Sequence, residues 1–139
     1  MDDHSERGLK VFGEIMGADA SKALRAAAEG SGFASGIARL AVDFCFADVW
    51  ARDGLDRKQR SLVTIAILIA TRQTQELKNH VRIAVRNGLS VRELEEVLFQ
   101  SLPYVGFPAV ATATTEMLET LRELGLETES KTSGEQGLL

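Results

Sequence analysis

The sequence predicts an all-α fold, and three observations predict it. Strand-type alternation of apolar and polar residues is absent. Ala, Leu, Glu and Arg, all strong helix formers, dominate the periodic stretches. Glycines and cap-type residues recur at helix-length intervals. Together they predict a single compact domain of about six or seven helices over residues 1–126. A polar tail of Gly, Ser and charged residues, 127–139, is expected to be disordered.

The elements follow in order. A first helix is expected from about Ser5 to Met16, ending at Gly17. Asp19 or Ser21 can cap a second, which stops at Gly30-Ser31-Gly32. A third runs from about Phe33 to Trp50, before the turn Arg52-Asp53-Gly54-Leu55. Asp56 caps a fourth, with Gln59 at the third position as in a capping box. That fourth helix carries Leu62, Val63, Ile65, Ala66, Ile67, Leu68, Ile69 and Ala70, so it is apolar nearly all round. Such a helix should be buried on every side, which in a small domain points to a partner subunit. A fifth runs from about Thr74 to Asn87, with Gly88 as a left-handed C-terminal cap. Ser90-Val91-Arg92-Glu93 is a full capping box for a sixth, ended by Pro103 and the Gly106-Phe107-Pro108 break. Pro108 suits the first turn of a seventh, whose stripe is Val110, Ala113, Met117, Leu121 and Leu124.

Composition excludes several classes. At 45% hydrophobic residues the chain is not disordered as a whole. The longest apolar run, Ile65 to Ala70, is far short of a membrane span. The acidic start Met1-Asp2-Asp3-His4 is not a signal peptide, so a cytoplasmic protein is expected. The lone Cys45, between Phe44 and Phe46, excludes an internal disulfide and reads as a small buried hydrophobe.

The net charge of −4 comes from the two ends, each carrying −2, and the middle is neutral. Within it, Arg52 to Arg92 holds nine bases against three acids. That segment suits a small anionic ligand, or is a solvated cationic face balanced by other helices. Ala84, Gly88, Ser90 and Leu94 have helix-turn-helix spacing. Glu93, Glu95 and Glu96 would then face phosphates, so no nucleic-acid partner is expected. With only His4 and His80, and one cysteine, no metal site is expected either.

The fifth helix carries the informative residues. At about 100° per residue, Leu77, Val81, Ala84 and Val85 form its buried stripe, while Lys78, Arg82 and Arg86 face water. Glu76 and His80 fall one turn apart on one flank of that stripe, and Arg72 extends the row if the helix reaches that far. A carboxylate one turn from an imidazole can orient the ring and raise its pKa, which suits proton transfer near neutral pH. The same spacing also describes an ordinary surface pair. Trp50, at a helix end, is a core or interface residue or a pocket wall.

Three blocks resemble the carboxymuconolactone decarboxylase family. They are Asp48 to Thr64, Glu76-Leu77-Lys78-Asn79-His80-Val81-Arg82 with Arg86-Asn87-Gly88, and Tyr104-Val105-Gly106-Phe107-Pro108-Ala109. The likeness spans roughly residues 6–118. It implies an alkylhydroperoxidase-D-like helical fold assembled as trimers or hexamers. The peroxidase branch of that fold has two cysteines where this chain has Gln73 and Glu76, so the resemblance is to the branch without thiol chemistry. Asp43 to Asp48 and Ala70-Thr71-Arg72-Gln73 depart from the usual decarboxylase pattern, which bears on the substrate more than on the fold.

The resemblance implies a cofactor-independent lyase acting on γ-carboxymuconolactone or a related carboxylated lactone. Such a substrate receives the electrons of the departing carboxylate on its own unsaturated carbonyl. The protein has to hold two carboxylates, stabilise a dienolate and see a carbon protonated. His80 is expected in proton transfer or oxyanion stabilisation, with Glu76 orienting it. Arg72, Arg60 and Arg52 are candidate carboxylate clamps and Trp50 a candidate wall. An isomerase or cyclase of the same fold, and a non-catalytic helical oligomer, are the competing expectations.

Overall fold

The computed structural model describes residues 1–138, and among them every regular element is helical. Their contacts divide the chain into two units, residues 1–57 and residues 58 onward.

The first unit opens with α1, Asp3–Met16. It starts two residues earlier than expected because Asp2 is the cap, its carboxylate accepting from the Ser5 backbone N–H at 2.9 Å. His4 therefore lies in a helix, with Nε2 3.2 Å from Asp48 Oδ1. Gly17, at φ 97°, separates α1 from α2, Ala18–Glu29. Arg25 of α2 grips Glu6 of α1 through two contacts of 2.6 Å.

The expected third helix is two different helices. Ser35–Leu40 is α3, and Ala41–Trp50 is a π-helical segment, its wider turn visible where Ala51 N–H donates to Phe46 O at 3.0 Å. Residues five apart then share a face, so Val42 and Ala47 are both buried. Gly8 of α1 meets that face. A Cβ built there would stand 2.1 Å from the Val42 carbonyl oxygen and 3.2 Å from the Ala47 nitrogen. Ser5 and Asp43 bond at 2.6 Å beside this contact, and Arg39 closes on the same carboxylate at 2.6 Å.

The second unit holds α4, Arg57–Ala70, from its second residue onward, with α5, Thr74–Arg86, α6, Val91–Val105, and α7, Phe107–Glu123. Ile65, Ile69, Leu77, Val81, Leu94, Met117 and Leu121 form its core. The Ser90–Glu93 capping box is complete, with both reciprocal bonds at 3.1 Å. α6 continues two residues past Pro103 and stops at Gly106, whose φ of 86° is a conformation that side chains resist. Lys78 of α5 reaches Glu116 at 3.0 Å and Glu119 at 3.2 Å on α7, and Arg82 reaches Glu123 at 2.5 Å.

α4 departs from expectation. Ser61, Ile65 and Ile69 are buried, but Val63 is 52% and Ile67 55% exposed. One apolar face of this helix therefore stands in solvent. Beyond α7, residues 133–137 form a turn. Thr132 and Glu135 bond reciprocally, at 2.8 Å and 3.2 Å, while the same Glu135 carboxylate takes both Arg122 nitrogens at 2.8 Å and 2.6 Å. Among the described residues no helix is long and apolar enough to cross a membrane.

Candidate active site

α5 delivers the expected pair. Leu77, Val81 and Ala84 are buried and fix the rotation of the helix. Glu76 and His80 then stand one turn apart at the edge of the buried stripe, Glu76 exposed and His80 half-buried. The His80 Nδ1 atom is itself buried. Desolvation pushes the imidazole below its usual pKa of 6.5, and the Glu76 charge acts against that shift. The carboxylate alone would raise the value, as the one-turn spacing predicts. Burial outweighs it, so the ring is neutral at pH 7. Glu76 also accepts from Asn79 Nδ2 at 3.3 Å.

Two expected arginines flank this helix differently. Arg60 lies on α4, half-buried, with its Nε atom withdrawn from solvent. One residue on, Ser61 Oγ accepts from Asn87 Nδ2 at 2.9 Å, which ties α4 to the end of α5. Arg72 does not extend the α5 row. The helix begins at Thr74, and Arg72 sits in the preceding turn at φ 57° with its side chain exposed. Helical extrapolation fails at that left-handed residue.

Trp50 and Arg52 belong to the first unit. Trp50 closes the π-helical segment as a buried residue and Arg52 follows it, exposed. Both line a cleft of about 510 Å³ with Arg7, Lys10, Glu14 and Arg57. Arg7 Nη2 donates to the Ala51 carbonyl at 3.2 Å, which fixes that guanidinium against the Trp50–Arg52 turn, and Arg57 pairs with Glu14. Trp50 is thus both a core residue and a wall. Arg7 and Lys10 are not among the residues that the sequence singled out. The available signal was helical spacing, since Arg7, Lys10 and Glu14 lie three and four apart on one face of α1.

Each grouping has its own chemistry. Arginines and a lysine around an aromatic wall suit a small carboxylate. A neutral, partly desolvated imidazole is an N–H donor whose strength is not dissipated by bulk water. Among the described residues no three His, Cys, Asp or Glu side chains gather as a metal centre requires. Cys45 is half-buried, and burial pushes its thiol pKa up, away from nucleophilic use.

Residues 36–119, which include every expected site residue, match the carboxymuconolactone decarboxylase family. The chain belongs to that family. It is similar to the 4-carboxymuconolactone decarboxylase of Acinetobacter baylyi, at 34% identity over 89% of this chain and 91% of the relative. It is also similar to the nitrosuccinic acid decarboxylase of Metarhizium robertsii, at 32% identity over 86% of this chain and 82% of the relative. Membership and these two relatives make the chain a carboxy-lyase.

Proposed function

We propose that the chain decarboxylates γ-carboxymuconolactone or a closely related small carboxylated lactone, with the neutral His80 ring stabilising the oxyanion that forms. The observation that carries this reading is the half-buried His80 beside Glu76 on α5. The two relatives' substrates support it through their chemistry. In the lactone, cleavage of the C–CO2 bond sends its electron pair through the ring onto the carbonyl oxygen. In nitrosuccinic acid the same pair moves onto a nitro oxygen. Both are small polycarboxylates that carry their own electron acceptor, so neither reaction calls for an external one. A protein serving either has to bind carboxylates, place a donor at the acceptor oxygen and allow a proton to return to carbon.

His80 takes the donor role because a neutral imidazole presents an N–H without the desolvation cost of a buried cation. Glu76 orients the ring. Arg60 and Arg72, in the same unit as His80, hold substrate carboxylates, and the first unit's cleft at Trp50 and Arg52 is itself a candidate carboxylate-binding region. Such an enzyme works in the cytoplasm on an intermediate of aromatic degradation, without a cofactor.

The test is CO2 release from γ-carboxymuconolactone by wild type and His80→Ala, with nitrosuccinate run in parallel. Removing one oxyanion donor is expected to lower kcat by about 10²–10³-fold. A folded His80→Ala protein with full turnover overturns the assignment. Turnover of nitrosuccinate alone would keep the decarboxylase and overturn the lactone.

A further inference from the structure

Among the described residues, four turns of the second unit close with the same pair of backbone bonds. In each, a left-handed residue donates to the carbonyl three residues back, and its successor to the carbonyl five residues back. Gly88 and Leu89 do so at 3.0 Å and 2.9 Å, Gly125 and Leu126 at 2.9 Å each, and Gly137 and Leu138 at 3.0 Å and 2.9 Å. The fourth turn ends α4, where Arg72 and Gln73 donate at 3.2 Å and 3.0 Å. Its left-handed position holds no glycine but Arg72, at φ 57°.

A side chain at such a position weakens the fold, because its Cβ crowds the following carbonyl. Arg72 makes no bond that offsets this. Its side chain is exposed. Among the described residues it enters no ion pair or side-chain hydrogen bond, whereas Lys78, Arg82 and Arg122 of the same unit each hold a carboxylate. The backbone calls for glycine there, so the guanidinium answers to something outside the chain.

Its place narrows what that is. Arg72 stands just ahead of α5, and His80 lies six residues after Thr74, about 9 Å along the helix axis. An extended guanidinium and a small dicarboxylate together bridge such a span. The substrates proposed above carry two carboxylates, and one leaves as CO2. A cation on the departing carboxylate would hold the reactant more tightly than the transition state, from which that charge is moving away, and would slow the reaction. The carboxylate that stays keeps its charge throughout, so a cation there strengthens both states equally.

We propose that Arg72 grips the carboxylate that stays, and thereby selects dicarboxylates over monocarboxylates. This rests on the reading of the chain as a decarboxylase of small dicarboxylates, and adds which carboxylate this residue recognises.

The experiment compares wild type with Arg72→Gly and Arg72→Lys. Arg72→Gly is expected to melt roughly 2–4 °C higher than wild type, since glycine relieves the left-handed turn. The same variant is expected to raise KM for γ-carboxymuconolactone about tenfold, while kcat changes by less than about twofold. Arg72→Lys keeps both the cation and the strain, so it melts with wild type and recovers part of the KM. Calorimetry with succinate and butyrate, which carry no electron acceptor and do not react, reads the selection directly. Wild type is expected to bind succinate about tenfold more tightly than butyrate, and Arg72→Gly to bind the two alike. A glycine variant that gains stability and keeps the wild-type KM overturns the inference. So does one that loses stability, because Arg72 then serves the fold, and so does a wild type that binds butyrate as well as succinate. A wild type that prefers succinate through Arg72 yet releases no CO2 from the lactone overturns the proposed reaction and supports the role of Arg72.

Discussion

At the scale of single residues, His80 separates two mechanisms that look alike on a helical wheel. Burial lowers its pKa from 6.5, so the ring has lost its proton before neutral pH is reached. If the neutral ring is the working form, kcat/KM stays flat from pH 7.5 to 8.5. If a protonated ring delivered the proton, activity would fall about tenfold per pH unit over the same range. A pH profile of the free-enzyme parameter decides between them, and a steadily falling one overturns the oxyanion role. This distinction was not legible in the sequence. Spacing shows that Glu76 is one turn from His80, but not how much water the fold removes from the ring. Arg72 teaches a related lesson. Its neighbours suggested a continuous helical row, and a single left-handed residue broke it. Arg7 was missed for the opposite reason, because its local charge context said nothing about the distant turn that it bonds.

At the scale of elements, the sequence was most informative where one local interaction decides the outcome. The Ser90–Glu93 box, the Gly88 stop and Pro108 in the first turn of α7 all lie where spacing put them. It was least informative where a neighbouring element decides. Nothing in Ala41 to Trp50 announces a π-helical segment, since the wider turn is matched to a partner helix far away in sequence. Gly8 makes that match testable. An added methyl group there would collide with main chain, which cannot rotate aside as a side chain does. Gly8→Ala is therefore expected to destabilise the protein by about 1–3 kcal/mol, measured by urea unfolding. Wild-type stability in this variant would mean that the close approach of α1 is not a feature of the folded chain.

At the scale of the whole molecule, stability should respond to acid in two stages. Folding holds His80 below its ordinary pKa, so the unfolded chain takes up that proton first. Stability from this source is complete above pH 6.5 and declines as pH falls toward the lower folded value. The carboxylates act further down. Asp2, Glu6, Glu14, Asp43, Glu93 and Glu127 all titrate below their ordinary values, chiefly because they accept hydrogen bonds, and Glu135, bound to Arg122, falls to about 2. Their contribution is present above the unfolded pKa values near 4 and is lost as pH falls through the folded ones. A series of melting temperatures should decline gently below pH 6.5 and steeply below about pH 4.5. A melting temperature that rises between pH 7 and 5 would contradict the burial of a neutral His80.

The contact at Gly8 also constrains how this chain can change over generations. Its obstacle is a carbonyl that every amino acid at position 42 would carry, so no second mutation at that site can compensate for a larger residue at position 8. Position 8 lies outside the span matched to the family, and position 42 lies inside it. A hybrid that joins another relative's leading helix to this chain's remainder should therefore succeed only when the donor brings a glycine to the crossing point.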